Sequence, residues 1–332
     1  MKSITPMVNL QGSPAPFKTR RHSTGIVLTK TRDMKKKVLL WLLVCFLGLS
    51  GTALPADSST KEFQLFLKEL KKRFSEYGWN DLKPEVIGWE YHRTTAGKKP
   101  LFFATFGDNL ENSTLMLGTV HGDEIPTAYV LFKFAEYLKE NPELYEGRCI
   151  VVAPLVNPDG FLANPPKRVN SRGVDPNRNF PTKSWNKDAV KHWQGMSRSK
   201  RYYPGHRAGT ESETSFQIAL INRFKPQKIL SLHSPLNVYD YDGPSVGLDV
   251  FEKWLEKISR ETNHPMKKLG VYPGSLGNYA GFERDIFVVT LELPSSEPKM
   301  GVQYYSQFKS AVGKFVRLGI KGGKPVAETG GS

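Results

Sequence analysis

Leu115-Met-Leu-Gly-Thr-Val-His-Gly-Asp-Glu124 is the stretch that decides how this chain folds. Leu115–Val120 has the length and apolar character of a buried strand, and His121-Gly-Asp-Glu124 follows where that strand should end. An imidazole and a carboxylate three residues apart at a strand end can both reach one metal ion. A His-x-x-Glu pair alone is also a common surface hydrogen bond, so its surroundings have to decide.

Working outward, Lys61–Tyr77 behind Ser59 carries Phe63, Phe66, Leu67, Leu70 and Phe74 at helical spacing, which predicts a helix packed on the domain within an N-terminal helical segment, residues 57–84. Val86–Trp89 and Leu101–Phe106, separated by the glycine-containing Thr94–Lys99, predict a hairpin. Beyond Glu124 strand and helix alternate: helix over Pro126–Lys139, strand Cys149–Val156, helix Glu213–Arg223, strand Lys228–Leu232, helix Val250–Glu261, strand Phe287–Leu293 and helix Gln303–Leu318. This alternation predicts an α/β fold: a single domain over residues 85–318 with a mixed open sheet and helices on both faces. Residues 182–212 read as a long, polar, basic loop, of the kind that is often functional. Gly319–Ser332 has glycine and proline without apolar periodicity and is expected to be a disordered tail.

Of the seven histidines, His121 and His233 follow clear strands. Carboxyl ends of strands are where open α/β sheets bind ligands. Either histidine alone also reads as a satisfied buried imidazole; two at equivalent strand ends favour a metal. Glu292 sits in the apolar strand Val288-Val-Thr-Leu-Glu-Leu293, where a buried charge costs several kcal/mol, on the order of the desolvation penalty for an ion, unless paired or wet. It reads as a strand end facing solvent or as a general base whose pKa the apolar surroundings raise. Arg168-Val-Asn-Ser-Arg-Gly-Val-Asp-Pro-Asn-Arg-Asn-Phe-Pro181 offers little to a core and suits a substrate with a free carboxylate, because guanidinium forks grip carboxylates at two points. A polar surface loop has the same composition.

With these motifs together the chain resembles the M14 metallocarboxypeptidases, the carboxypeptidase A-like zinc peptidases. His121-Gly-Asp-Glu124, Asn157-Pro-Asp-Gly160, Gly173-Val-Asp-Pro-Asn-Arg-Asn-Phe-Pro181, Ser231-Leu-His-Ser234 and Thr290-Leu-Glu-Leu293 occur in the family's order, and the likeness covers about residues 85–318. It implies zinc on His121, Glu124 and His233, Glu292 as general base and then acid, and Arg168 as the arginine that polarises the scissile carbonyl. Asn177 and Arg178 would hold the substrate carboxylate, and Asp175 would orient His121. Leu276 falls where the preference for the leaving residue is often set and is not acidic, which disfavours ordinary basic-residue specificity. Leu269 stands where the family keeps a mobile tyrosine, with Tyr272 the nearby substitute. His233-Ser-Pro, Tyr239-Asp-Tyr-Asp-Gly-Pro244 and Gly274-Ser-Leu-Gly-Asn-Tyr-Ala-Gly281 are most similar to bacterial murein peptide amidases, which cut between γ-D-glutamate and meso-diaminopimelate. The implied substrate is a peptidoglycan stem peptide or its fragments. Alternatives are a D,L-carboxypeptidase on the same stems, a general metallocarboxypeptidase, and a non-catalytic wall-binding module, which would have no need to keep both Glu292 and the ligand set.

Composition sets the remaining bounds. With 39% hydrophobic and 24% charged residues the chain has ample material for a core. Nine lysines and arginines against the single acid Asp33 place +8 of the net +15 in residues 1–56, so the modest +7 that remains does not indicate a nucleic-acid partner. Residues 34–56 have signal-peptide order: Lys35, Lys36 and Lys37, the apolar run Val38–Leu49, then small residues up to Ala56. That run is shorter than the roughly 20 residues of a spanning helix, so the expectation is cleavage, no stable membrane insertion, and a periplasmic or secreted product. Met34 reads as the start of translation and residues 1–33 as upstream sequence. Removing the leader takes Cys45 with it and leaves Cys149 alone, which excludes an internal disulfide and a thiolate zinc site.

Overall fold

A computed structural model of the chain describes residues 60–244, 246–321 and 324–326. The expected upstream segment and signal peptide lie outside the described residues. No helix among the described residues is long and apolar enough to cross a membrane.

The framework is a seven-stranded sheet, β1 Glu90–Thr94, β2 Pro100–Phe106, β3 Ser113–Leu117, β4 Cys149–Ala153, β5 Lys228–His233, β6 Val238–Asp242 and β7 Phe287–Glu292. Its order is β1-β2-β4-β3-β5-β7-β6. The central β4, β3, β5 and β7 run parallel, and antiparallel β2 and β6 flank them. The mixed open α/β sheet is therefore as expected, and all four parallel strands end at one edge.

Strand alternation splits the core in two. Met116, Ile150, Val152, Leu230, Leu232, Phe287, Val289 and Leu291 face one apolar cluster, while Leu115, Leu117, Val151, Ile229 and Val288 face the other. The first cluster receives α1 Lys61–Glu76 and α2 Pro126–Glu140. Helix α1 begins where the Thr60 hydroxyl accepts the Phe63 N–H at 3.3 Å, and its Phe63, Phe66, Leu67, Leu70 and Phe74 are buried. Short helices α3 Pro158–Leu162 and α4 Val190–Gly195 lie in the connections, and α5 Ser212–Phe224 covers the second cluster through Phe216, Leu220, Ile221 and Phe224. Helices α6 Leu248–Thr262 and α7 Gly301–Arg317 complete the first face.

Several segments differ from the sequence reading; strand β6 has no counterpart in it, and β4 stops at Ala153 rather than Val156. The first hairpin strand is Glu90–Thr94, not Val86–Trp89, because Pro84 opens a tight helical turn and the Trp89 indole N–H donates to the Pro84 carbonyl at 2.7 Å. Strand β3 stops at Leu117, and Thr119 at a φ of 50° turns the chain before His121. The long basic loop holds a turn of π-helix at Trp185–Ala189, α4, and a 3-10 turn at Lys200–Tyr202. The expected disordered tail pairs in its first part, β8 Gly319–Lys321 with β9 Lys324–Val326, where backbone hydrogen bonding needs no apolar periodicity. Residues 327–332 lie outside the described set.

Candidate metal centre and active site

His121 and Glu124 share a tight turn just past β3, with the Glu124 N–H donating to the His121 carbonyl at 3.2 Å. Two glycines let this turn close on its neighbour: a Cβ on Gly122 would lie 2.2 Å from the Gly160 carbonyl carbon, and one on Gly160 would lie 2.5 Å from the Lys167 carbonyl oxygen. Asn157 fastens the same corner, its Oδ1 accepting from the Gly160 N–H at 2.9 Å and its Nδ2 donating to the Arg168 carbonyl at 3.0 Å. His233 is the last residue of β5 and Glu292 the last of β7.

His121, Glu124 and His233 are all buried, and each offers a ligand atom within 4.8 Å of the others. Their second contacts settle which atoms face inward. His121 Nε2 lies 3.1 Å from Asp175 Oδ1, and since the carboxylate can only accept, Nε2 carries the hydrogen and Nδ1 presents its lone pair. His233 Nε2 is occupied by the Ser231 hydroxyl at 2.9 Å, leaving its Nδ1 inward as well. The two Nδ1 atoms are 3.2 Å apart, and the Glu124 oxygens lie 2.7 and 2.8 Å from them. Lone pairs and an anion so close repel unless a cation lies among them. The separation of the nitrogens suits neighbouring corners of a tetrahedron with bonds of about 2.0 Å, whose edge is about 3.3 Å. The donor set fits zinc.

The electrostatics agree. Burial works against charge on Glu124, yet the two imidazoles hold its carboxyl well below the usual carboxylate range. Asp175 is likewise buried but held low by Arg168 and His121. Burial and Arg168 oppose a proton on His121, and Glu124 and Asp175 outweigh them and raise its pKa. Glu292 moves the other way: burial is the main cause and pushes its carboxyl above the ordinary value, with His233 opposing.

A cavity of ≈ 270 Å³ joins these groups to Arg168, Asn177, Arg178, Tyr272 and Leu276. Arg168 is fixed by Nε to Asp175 Oδ2 at 2.9 Å and by a terminal nitrogen 3.4 Å from Glu124 Oε1. Asn177 Oδ1 accepts from the Leu276 N–H at 2.8 Å. The Arg178 guanidinium donates to the Asn177 carbonyl at 2.7 Å and lies 4.6 Å from the centre of the Tyr272 ring. The structure thus brings together every site residue expected from the sequence. The other two asparagines of the same polar segment serve the fold. Asn170 bridges Glu211 and Glu213 at 2.9 Å each, and Asn179 ties down the 204–211 stretch through the Pro204 and Arg207 carbonyls and the Glu211 N–H.

The family of zinc carboxypeptidases matches residues 91–280, more than half of the chain, including the triad and its arginines. The chain belongs to this family. As a zinc carboxypeptidase it is a zinc-dependent hydrolase, and the His121–Glu124–His233 triad is the place for the ion. It is 31% identical over 210 residues to murein peptide amidase A of Escherichia coli K12, spanning 61% of this chain and 80% of that protein. The solved murein-tripeptide amidase of Escherichia coli O157 superposes with a TM-score of 0.54 at 25% identity, covering 70% of this chain and 93% of that one. Carboxypeptidase A of Helicoverpa armigera, at 19% identity, shares the fold with a TM-score of 0.55 over 86% of this chain and 81% of its own.

The sequence reading of this zinc carboxypeptidase missed several cavity residues. Met196, Arg201 and Tyr202 come from the basic loop, and Tyr202 lies under Arg168, its ring centre 5.1 Å from the guanidinium carbon. Asp240 and Asp242 come from β6. Their signal was the alternation Tyr239-Asp-Tyr-Asp242, which puts both acids on one face of a strand beside Glu292.

Proposed function

We propose that this zinc carboxypeptidase hydrolyses peptidoglycan stem peptides at the amide between γ-D-glutamate and meso-diaminopimelate. The observation that carries the reading is the single cavity in which His121, Glu124, His233 and Glu292 share walls with Asn177 and Arg178. A guanidinium there suits a carboxylate next to the scissile amide, which diaminopimelate presents. The named activity of the Escherichia coli relatives supports the substrate class.

Zinc, when bound, supplies a Lewis acid that makes water acidic enough to lose a proton near neutral pH. Glu292 takes that proton: its Oε2 accepts from the Leu236 N–H at 3.3 Å, which leaves Oε1 for the transfer. With the ion held by His121, Glu124 and His233, the deprotonated water would add to the carbonyl carbon, the carbon–nitrogen bond would break, and Glu292 would return its proton to the departing amine. Arg168, anchored by Asp175 and Glu124, offers its remaining N–H groups to the negative oxygen that develops on the carbonyl. Arg178, braced against Tyr272, fixes the leaving residue by its carboxylate while Asn177 holds the adjoining backbone at Leu276.

Mass spectrometry of L-Ala-γ-D-Glu-diaminopimelate incubated with zinc-loaded protein tests this, with Glu292→Gln as control. Free diaminopimelate from the wild type alone is the expected result. An intact tripeptide beside trimmed tetrapeptides would replace the amidase by a D,L-carboxypeptidase. The reading includes export by residues 34–56, which a reporter active only outside the cytoplasm, fused after residue 60, should reveal; a silent reporter would place the enzyme inside.

A further inference from the structure

The catalytic groups account for one end of the cavity and leave its other wall unexplained. Tyr239 and Tyr241 of β6 turn into the apolar cluster beneath α6 and α7, so Val238, Asp240 and Asp242 face the opposite way. The antiparallel register sets Val238 against Glu292, Asp240 against Thr290 and Asp242 against Val288. Both acids therefore share a face with Glu292, about 7 Å and about 13 Å along the sheet from it at about 3.3 Å per residue. Both line the cavity.

They are 6% and 8% exposed, and they are not equally satisfied. Asp240 Oδ1 accepts from the Leu269 N–H at 3.0 Å. The Asp242 carboxyl group has no hydrogen-bond or ion-pair partner among the described residues, although the residue is buried beyond nine tenths and lines the cavity. Lys268 is the cation whose charge acts on both acids, but its ammonium lies 4.8 Å from the centre of the Tyr241 ring and pairs with neither. Burial and the neighbouring Asp240 push the Asp242 carboxyl up to about 7. The space in front of it depends on glycine: a Cβ on Gly277 would sit 1.9 Å from Asp242 Oδ2, and one on Gly281 would sit 2.8 Å from the Asp242 Cβ.

We propose that Asp242, supported by Asp240, binds an ammonium group at the far end of the leaving residue's side chain and makes this enzyme selective for leaving residues that carry one. The proposal rests on and deepens the murein reading, since diaminopimelate bears a distal ammonium. It also relocates the acidic determinant: Leu276, at the position expected to set this preference, is apolar, and the acid comes from the neighbouring strand. A buried carboxylate without a counter-ion gains most from a ligand that brings an ammonium, as the distal end of diaminopimelate does beside its carboxylate, and discriminates against one that brings only an anion or no charge.

The test compares kcat/KM of zinc-loaded wild type and Asp242→Asn on two series. The γ-D-Glu-linked series ends in diaminopimelate, lysine or 2-aminopimelate, and the α-linked series is benzoyl-Ala-Lys and benzoyl-Ala-norleucine. Wild type should favour ammonium-bearing members at least tenfold. Asp242→Asn should erase that preference and raise turnover of the 2-aminopimelate peptide, a gain that misfolding cannot produce. Gly277→Ala, which pushes on the same carboxylate, should weaken the preference in the same direction. Turnover confined to the α-linked series with the lysine preference intact would remove the murein substrate and keep the ammonium site. Equal rates within whichever series is cleaved, an unchanged preference in Asp242→Asn, or no turnover in either series would overturn the ammonium site.

Discussion

His233 and Glu292 are Cα partners at the last position of the parallel β5–β7 ladder. Partnered residues of adjacent strands project to the same face, so a metal ligand and a carboxylate are held side by side by sheet backbone rather than by a loop. Glu292→Gln keeps the shape and removes the base. Turnover should fall by about 10²–10⁴-fold with zinc content unchanged, measured by peptide hydrolysis and atomic absorption. Activity near wild type would take the base away from Glu292.

The zinc triad rests on a partner outside it. His233→Ala should lose the ion outright, whereas Asp175→Asn leaves all three ligands and disturbs the hydrogen bond at His121 Nε2 together with the ion pair to Arg168. A metal-bound imidazole deprived of its carboxylate partner typically loses about 10–100-fold in metal affinity. Competition with a chelator should show that intermediate loss for Asp175→Asn, and wild-type affinity would reduce Asp175 to an anchor for Arg168.

Arg178 should matter for the substrate's carboxylate and for little else. Hydrogen bonds to charged groups contribute about 1.5–3 kcal/mol, so Arg178→Ala should cost roughly 10–150-fold in kcat/KM. Replacing the substrate carboxylate by a carboxamide should cost the wild type a similar factor and the variant almost nothing. Arg178→Lys should recover only part, because a lysine cannot make the two-point contact. Equal losses on both substrates would mean that Arg178 supports the cavity wall rather than the ligand.

At the first position of β5, far from the active edge, Lys228 is completely buried, with no hydrogen-bond partner for its ammonium nitrogen among the described residues. Burial, reinforced by the charge of Arg148, brings its pKa down from 10.5 to about 7. Below pH 7 both folded and unfolded chains hold the proton, and the folded state bears the whole cost of the buried charge. Between about 7 and 10.5 only the unfolded chain keeps it, so stability rises with pH. Lys228→Met should therefore stabilise the protein by on the order of a few kcal/mol at pH 6.5 and by much less near pH 10, read from denaturant midpoints. A gain independent of pH would assign the effect to packing alone.

Much of this site is legible in the chain because its chemistry lies at the ends of strongly patterned strands. His233 and Glu292 terminate runs whose apolar character marks them as buried, and a polar residue closing such a run calls for a reason. The polar run from Arg168 to Pro181 was legible only in outline. Asn170, Asn177 and Asn179 look alike in sequence, yet two of them brace the Glu211 region and one holds the backbone beside Leu276, because short amide side chains serve whatever the surrounding fold leaves unpaired.

From sequence alone come the α/β framework, because strand and helix periodicity are local properties of the chain, and the zinc ligands, which the resemblance to the zinc carboxypeptidases implies. The sheet order, which puts β5 between β3 and β7, and the register that sets β6 against β7 are decided by non-local hydrogen bonding. Only that pairing turns Asp240 and Asp242 from two acids in an ordinary strand into the buried wall of the cavity that also holds Glu292.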